Sequence, residues 1–285
     1  PLKISGIPDK TEIPEHFSIN IDKSSQFLSA LMIAAGTFGK NAVIDVVGSH
    51  GLSYVDLTAE MIRSFGVSVV KEESDGQVRY LFDGKEAYRP LNYQVEPDMS
   101  AAAYFYAMAA VLGTEVAVHG VTADMLQGDT EFFKVLEKMG CELSEKENKE
   151  IAVKGPEAGL LRGNFTIDMS AFSDQALTLA AIAPFADGPI SIEGIGHIRL
   201  QECDRIHAIT SNLRALGIKT EEKEDAVTIY PGTPAGCDIE TFEDHRVAMS
   251  FALTGLRTEG VRILNPDCCR KTFAEYFQAT EALWN

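Results

Sequence analysis

The stretch Ser173–Gly188, SDQALTLAAIAPFADG, decides the fold. A polar Ser-Asp-Gln cluster runs directly into an alanine-rich apolar segment, the pattern of a helix that starts at a polar surface and is buried along its length. The same design occurs three more times: SSQFLSALMIAAG from Ser24, DMSAAAYFYAMAAVLG from Asp98 and DHRVAMSFALTGL from Asp244. Anchors at Ser25, Ser100, Asp174 and Arg246 are 75, 74 and 72 residues apart, so the chain is an internal repeat.

Outward from each helix the copies continue alike. A β-branched run follows, AVIDVVG from Ala42, TEVAVHG from Thr114, ISIEGI from Ile190 and VRILNP from Val261. A second amphipathic helix comes next. YVDLTAEMIRSFG places Val55, Thr58, Met61, Ile62 and Phe65 on one face, and DTEFFKVLEKMG and ECDRIHAITSNLRALG have the same period. Gly66, Gly140 and Gly217 close these helices as left-handed caps. Hairpins are predicted from Val67–Val70 with Val78–Phe82, Cys141–Leu143 with Glu150–Val153, and Ile218–Thr220 with Ala226–Ile229. The unit reads β-α-β-α-β-β, and the last copy stops inside its second helix, KTFAEYFQATEALWN. This is an α/β (α+β) fold of stacked repeats. The two prolines of Tyr88–Pro97 mark the boundary between residues 1–94, with one full repeat, and 95–285, with two full repeats and a partial third.

Composition narrows the function. The 285 residues hold 45% hydrophobic and 24% charged residues, which excludes wholesale disorder. With 25 Lys+Arg against 42 Asp+Glu, the net charge of −17 argues against nucleic acid and anionic membranes. No window reaches the ~18 unbroken apolar residues of a membrane span. Five cysteines form no disulfide framework, and a reducing, cytoplasmic setting is expected. The chain starts at Pro1, and no signal peptide or targeting segment is expected.

Chemistry gathers where helices begin. Ser24, Asp98, Ser173 and Asp244 read most simply as N-caps. Capping does not explain Arg205, Arg246 and Lys271, which in the first turn of a helix would oppose its macrodipole. Cations at helix N-termini make an anion site, so a strongly positive locus is expected on an acidic protein. Asp174 and Glu202 supply carboxylates beside it for acid–base work, and His245 adjoins Arg246. For Glu202, a first-turn dipole partner is the competing reading. Cys203 and His207 lack a second pair at ligand spacing, and phosphate-loop and dinucleotide fingerprints are missing, so no metal or cofactor is expected.

These residues lie in stretches that resemble the 5-enolpyruvylshikimate-3-phosphate synthase family of enolpyruvyl transferases: SSQFLSAL at 24–31, the E-x-D-x-S-x-A-x-YF pattern at 96–105, QGD at 127–129, SDQALTLA at 173–180, RLQECDR at 199–205, EDHRVAM at 243–249 and C-x-x-KTF at 268–273. The resemblance implies an inside-out α/β barrel of the enolpyruvyl transferase type, here incomplete, with two domains of three units each in the family. It implies transfer of the enolpyruvyl group of phosphoenolpyruvate to the 5-hydroxyl of shikimate 3-phosphate, without metal, by a monomer when complete. Ser24, Ser25, Gln26, Asp174, His197 and Gln201 would hold shikimate 3-phosphate. Gln26, Arg205, His245, Arg246 and Lys271 would hold phosphoenolpyruvate. Asp174 would take the hydroxyl proton and Glu202 would handle the methylene proton.

The sequence departs from the family pattern in places. Gln201 stands where lysine is usual, His197 where asparagine is frequent, and Pro97 where glycine is usual; Gly51-Leu52-Ser53-Tyr54 replaces Ser-(Lys/Arg)-Pro-Tyr. The resemblance also implies a further segment before Pro1, in cis or in trans, and a chain inactive alone. Two alternatives stand beside this reading: transfer of enolpyruvate to UDP-N-acetylglucosamine, and a non-catalytic binding or assembly role.

Overall fold

The computed structural model describes Lys3, Gly6, residues 12–48 and residues 51–284; Pro1 lies outside them. Contacts divide the chain into two compact units, Pro1–Gln94 and Val95–Asn285.

In the first unit the elements are β1 (His16–Asn20), α1 (Gln26–Ala35), β2 (Ala42–Val47), α2 (Leu52–Ser64), β3 (Val70–Ser74) and β4 (Gln77–Phe82). The order is the predicted β-α-β-α-β-β. The sheet runs β1-β2-β4-β3, with β1 and β2 parallel and the other pairs antiparallel. The parallel pair needs a crossover, which α1 provides. Strand β3 starts at Val70 rather than Val67, although Val67 and Val69 are buried. On α2 the buried residues are Val55, Ala59 and Ile62, while Thr58, Met61 and Phe65 are half-buried. Thr58 is drawn aside by a 2.8 Å hydroxyl contact with Ser29 of α1.

The second unit begins with α3 (Met99–Leu112), β5 (Glu115–Thr122), α4 (Phe132–Lys138), β6 (Glu142–Glu145) and β7 (Glu150–Lys154). This copy has no opening strand among the described residues. Two prolines in Tyr88–Pro97 remove the N–H groups a ladder requires, and the sheet is three-stranded, β5-β7-β6. The third copy holds β8 (Phe165–Asp168), α5 (Ala176–Ile182), β9 (Ile190–Glu193), α6 (Arg205–Ala215), β10 (Thr220–Glu222) and β11 (Val227–Ile229), in a sheet ordered β10-β11-β9-β8. The last has β12 (Asp238–Ile239), parallel to β13 (Arg262–Ile263), with α7 (His245–Gly255) between them and α8 (Tyr276–Trp284) at the end.

Three repeat helices, α3, α5 and α7, pack against one another inside the second unit. All seven residues of α5 are buried, as are eleven of the fourteen in α3. Their alanines explain this: small side chains let axes approach to the short end of the usual ~8–10 Å range. Thr254 of α7 donates 2.8 Å to the Ala181 carbonyl of α5, satisfying the hydroxyl inside this core. Second helices end as predicted: Gly66, Gly140 and Gly217 have φ of +89°, +95° and +80°, conformations that cost a side-chain-bearing residue. Among the described residues no helix is long and apolar enough to cross a membrane.

Candidate active site

Helices α3, α5 and α7 begin near one another, and side chains at these N-terminal ends meet. Asp98 caps α3, accepting from the Ser100 and Ala101 N–H groups at 2.9 and 3.3 Å. Asp244 caps α7 through the Arg246 N–H at 2.8 Å. Ser173 does not cap: it lies in a 3₁₀ turn, Ser173–Gln175, and its Oγ contacts His197 Nε2 at 2.8 Å. Ser24 accepts from the Gln26 N–H at 3.2 Å, while Ser25 occupies the cap position of α1 without a side-chain cap bond.

The centre of the cluster is Arg205, only 1% exposed. Its Nε donates to Asp244 Oδ2 at 2.7 Å, Nη1 to Asp174 Oδ1 at 3.0 Å and to Gln201 Oε1, and Nη2 to Glu202 Oε2 at 2.8 Å. Arg246 Nη2 holds the other Asp174 oxygen at 2.7 Å, and Lys271 Nζ binds Glu202 Oε1. Asp174 and Glu202 are therefore each gripped by two cations. The strongly positive locus expected from sequence is corrected: Arg205, Arg246 and Lys271 face Asp174, Glu202 and Asp244, one carboxylate per cation. Burying a guanidinium is tolerated only with this degree of pairing.

Two further expectations change. Lys271 is not in the first turn of a helix; it ends a 3₁₀ turn, Pro266–Lys271, and α8 starts five residues later. Glu202 is not a first-turn residue either, because Asp204 caps α6 and Arg205 opens it. Its orientation is set by its cations, not by a helix dipole.

The charges shift one another. Burial would raise the Glu202 pKa, but the Lys271 hydrogen bond and the Arg205 charge outweigh it and bring it to about 2. Asp244 shows the same contest, with burial overcome by Arg205, and lies below its ordinary value. For Arg246, burial is outweighed by Asp174, Tyr104 and Asp129, so it is held charged more firmly than usual. His245, 2% exposed, is pushed down by burial and by the Arg246 charge; among the described residues its Nδ1 has no hydrogen-bond partner, and it is 3.7 Å from Asp244 Oδ1. It is a neutral imidazole at pH 7.

Sequence reasoning assigned no role to a buried group beneath this layer. Asp129, in the QGD motif, accepts from Ser100 Oγ and Gln175 Nε2, both at 2.9 Å, and burial raises its pKa. It joins the start of α3 to the turn carrying Asp174. Tyr104 lies fully buried against Arg246. The motif itself was the available signal, since an acid in a Gly-Asp turn before an apolar helix has no packing reason to be buried.

Of the other predicted residues, Gln201 turns toward Arg205, and the half-buried His197 lies beside Ser173. Ser24, Ser25 and Gln26 sit on the first unit, where Ser25 is buried and Gln26 exposed. Gly51, with φ +66°, lets the start of α2 approach Ser25: a Cβ there would lie 2.8 Å from Ser25 Oγ. Among the described residues no three His, Cys, Asp or Glu side chains converge as a metal ligand set. Cys203 is pushed up to about 12 by burial and by Asp244, which makes it a poor thiolate.

Repeated α/β units around shared helices are the architecture of the enolpyruvyl transferase class. Solved structures agree: an EPSP synthase from Acinetobacter baumannii superposes with a TM-score of 0.75 over 93% of this chain and 62% of that one at 24% identity. The enolpyruvyl transferase NikO from Streptomyces tendae gives 0.68 over 94% and 63% at 17% identity. Residues 1–280 match the family model for EPSP synthase (3-phosphoshikimate 1-carboxyvinyltransferase), and the chain belongs to that family. The 3-phosphoshikimate 1-carboxyvinyltransferase of Nostoc punctiforme is 41% identical over 92% of this chain, and the chloroplastic one of Arabidopsis thaliana 40% over 91%. The chain spans 60% and 51% of the lengths of these two relatives.

Proposed function

We propose that this chain carries the second-domain machinery of a 3-phosphoshikimate 1-carboxyvinyltransferase, with its first unit forming part of a first domain. The observation that carries this is the Arg205–Asp174–Arg246 and Lys271–Glu202 network: two acid–base carboxylates, each already held by the cations that two anionic substrates need. The relatives' names support the reaction, transfer of a carboxyvinyl group to shikimate 3-phosphate, with phosphoenolpyruvate as donor. A cytoplasmic setting fits the cysteine usage.

In this reading Arg205, Arg246 and Lys271 bind phosphoenolpyruvate with His245 beside them, while Ser24, Ser25, Gln26, His197 and Gln201 address shikimate 3-phosphate. Asp174 accepts the proton of the 5-hydroxyl as its oxygen bonds to the central carbon of phosphoenolpyruvate. A proton adds to the methylene carbon, giving a tetrahedral intermediate. Loss of that methyl proton and of phosphate then forms the product. Glu202 exchanges the proton at carbon. Without substrate it is ionised, because Lys271 and Arg205 hold it so. An incoming anion shares those cations, which raises the proton affinity of Glu202 where the chemistry needs it.

Asp174→Asn tests the assignment. In a preparation supplied with the first-domain segment of a relative, turnover falls by about a hundredfold or more, the usual scale for a lost general base. Undiminished turnover removes Asp174 from the role. Substitution of UDP-N-acetylglucosamine for shikimate 3-phosphate in the same assay gives no product if this reading holds.

A further inference from the structure

The site depends on a short loop, Gln201–Cys203, that belongs to no helix or strand and yet presents Glu202 and Gln201 to Arg205. Such a loop needs something to hold it. Arg199 lies two residues before it, in the last turn of a 3₁₀ segment, Gly196–Leu200, with its side chain 22% exposed. A guanidinium has five N–H donors. Arg199 makes five bonds: Nε to the Glu224 carbonyl at 2.8 Å, Nη1 to the two Asp204 oxygens at 3.0 and 2.9 Å, and Nη2 to Glu222 Oε1 at 3.1 Å and to the Lys223 carbonyl at 2.6 Å. All three guanidinium nitrogens are thus engaged inside the protein, a structural rather than a substrate-facing arrangement.

We infer that Arg199 is a positioning residue for Glu202: it ties the two ends of the loop together and fastens them to the β10–β11 turn. The inference rests on the proposed role of Glu202 for its functional meaning. One arm closes the loop, because Asp204 is both the partner of Arg199 and the cap of α6, accepting from the His207 N–H at 3.0 Å. The other arm anchors it to the hairpin, which is itself fixed to α6 by Thr210 Oγ1 donating to Glu222 Oε2 at 2.8 Å and to the preceding segment by the Ile195 N–H donating to the Asp225 carbonyl at 2.9 Å. With both ends pinned, the loop tip has little freedom, and Glu202 stays between Arg205 and Lys271. A lysine carries the charge but offers three donors from one atom, so it cannot span Asp204, Glu222 and two carbonyls at once.

The test is a carbon-detected NMR titration of the Glu202 carboxyl in this chain, with the resonance assigned by Glu202→Gln. The groups facing it are Arg205, Lys271 and His245. In Arg199→Ala and Arg199→Lys the midpoint rises from about 2 by roughly one pH unit or more, because the loop releases Glu202 from its cations. Arg262→Ala, which breaks the exposed Arg262–Asp238 pair elsewhere, leaves it unmoved. An unchanged midpoint in both Arg199 variants overturns the inference. So does a rise in Arg199→Ala alone, since lysine keeps the charge and the effect is then not geometric. Should neither variant fold, Asp204→Asn answers the question. Asparagine caps as well as aspartate, so the cap survives while the ion pair goes, and the midpoint must still rise. The titration needs no substrate, so a failed transferase assay and a failed positioning role give different results.

Discussion

The two units contain the same repeat, yet its first helix meets opposite fates in them. In the second unit α3, α5 and α7 bury their alanines against one another. In the first unit α1 buries only Leu28, Met32 and Ala35 and leaves Phe27 60% and Ile33 53% exposed, with Ala30 and Ala34 exposed on the same side. The alanine-rich pattern therefore specifies a helix made for helical neighbours, and the number of neighbours decides what it buries. The chemistry follows the same rule. Where three such helices begin together, a guanidinium can be buried among carboxylates; at the start of α1, Ser24, Ser25 and Gln26 bring hydroxyls and an amide instead.

The largest test of this contrast is Arg205→Met. It strands Asp244, which is 0% exposed, without its main partner. The second unit loses about 3–5 kcal/mol of stability, measured by urea unfolding, because a buried charge left unpaired costs far more than a pair contributes. A loss below 1 kcal/mol would mean that the cluster is hydrated rather than closed.

Next in size is a matched pair of insertions. Ala180→Leu, at the packed centre of α5, costs about 1–3 kcal/mol by overpacking. Ala30→Leu, on the exposed side of α1, changes stability by no more than about 0.5 kcal/mol. Equal costs would show that the helices do not differ in their neighbours. Smaller still in folding terms is Phe27→Lys with Ile33→Lys. Stability stays within about 0.5 kcal/mol, while self-association in sedimentation and binding of an apolar dye both fall, since the double change interrupts an exposed apolar strip.

The repeat was legible because burial imposes a period that survives in the residues: Ala176–Ala183 can hardly be anything but a buried helix, and Gly66, Gly140 and Gly217 announced their caps. Opening strands were less legible. Tyr88–Pro97 read as extended, but extension does not reveal whether a partner strand exists. The site residues were legible as cations out of place at helix starts. Their pairing was not, because Asp244 looks like a cap and is also the closest carboxylate partner of Arg205, and Lys271 reaches Glu202 from a turn, not a helix. Periodicity gives a residue's side of an element; how three carboxylates are shared among Arg205, Arg246 and Lys271 depends on distances of a few ångströms set by the whole unit. Arg199 was invisible for the same reason, since its five acceptors come from Asp204 and from a turn more than twenty residues away.

The finest distinction concerns protons in the second unit. His245 is buried beside Arg246, so its folded-state pKa lies below the ordinary 6.5. Below pH 6.5 the unfolded chain then binds more protons than the folded one. Stability is full above about pH 6.5 and declines as pH falls toward the depressed folded value. Glu202 acts by the same rule in a lower window, between 4.5 and about 2. The two are separable by substitution. In urea unfolding followed from pH 8 to pH 3, His245→Asn flattens the decline below pH 6.5, while the acid loss below pH 4.5 persists. A slope that survives the substitution would place the titrating group elsewhere, and the pairing of charges at these helix starts would then not extend to the imidazole.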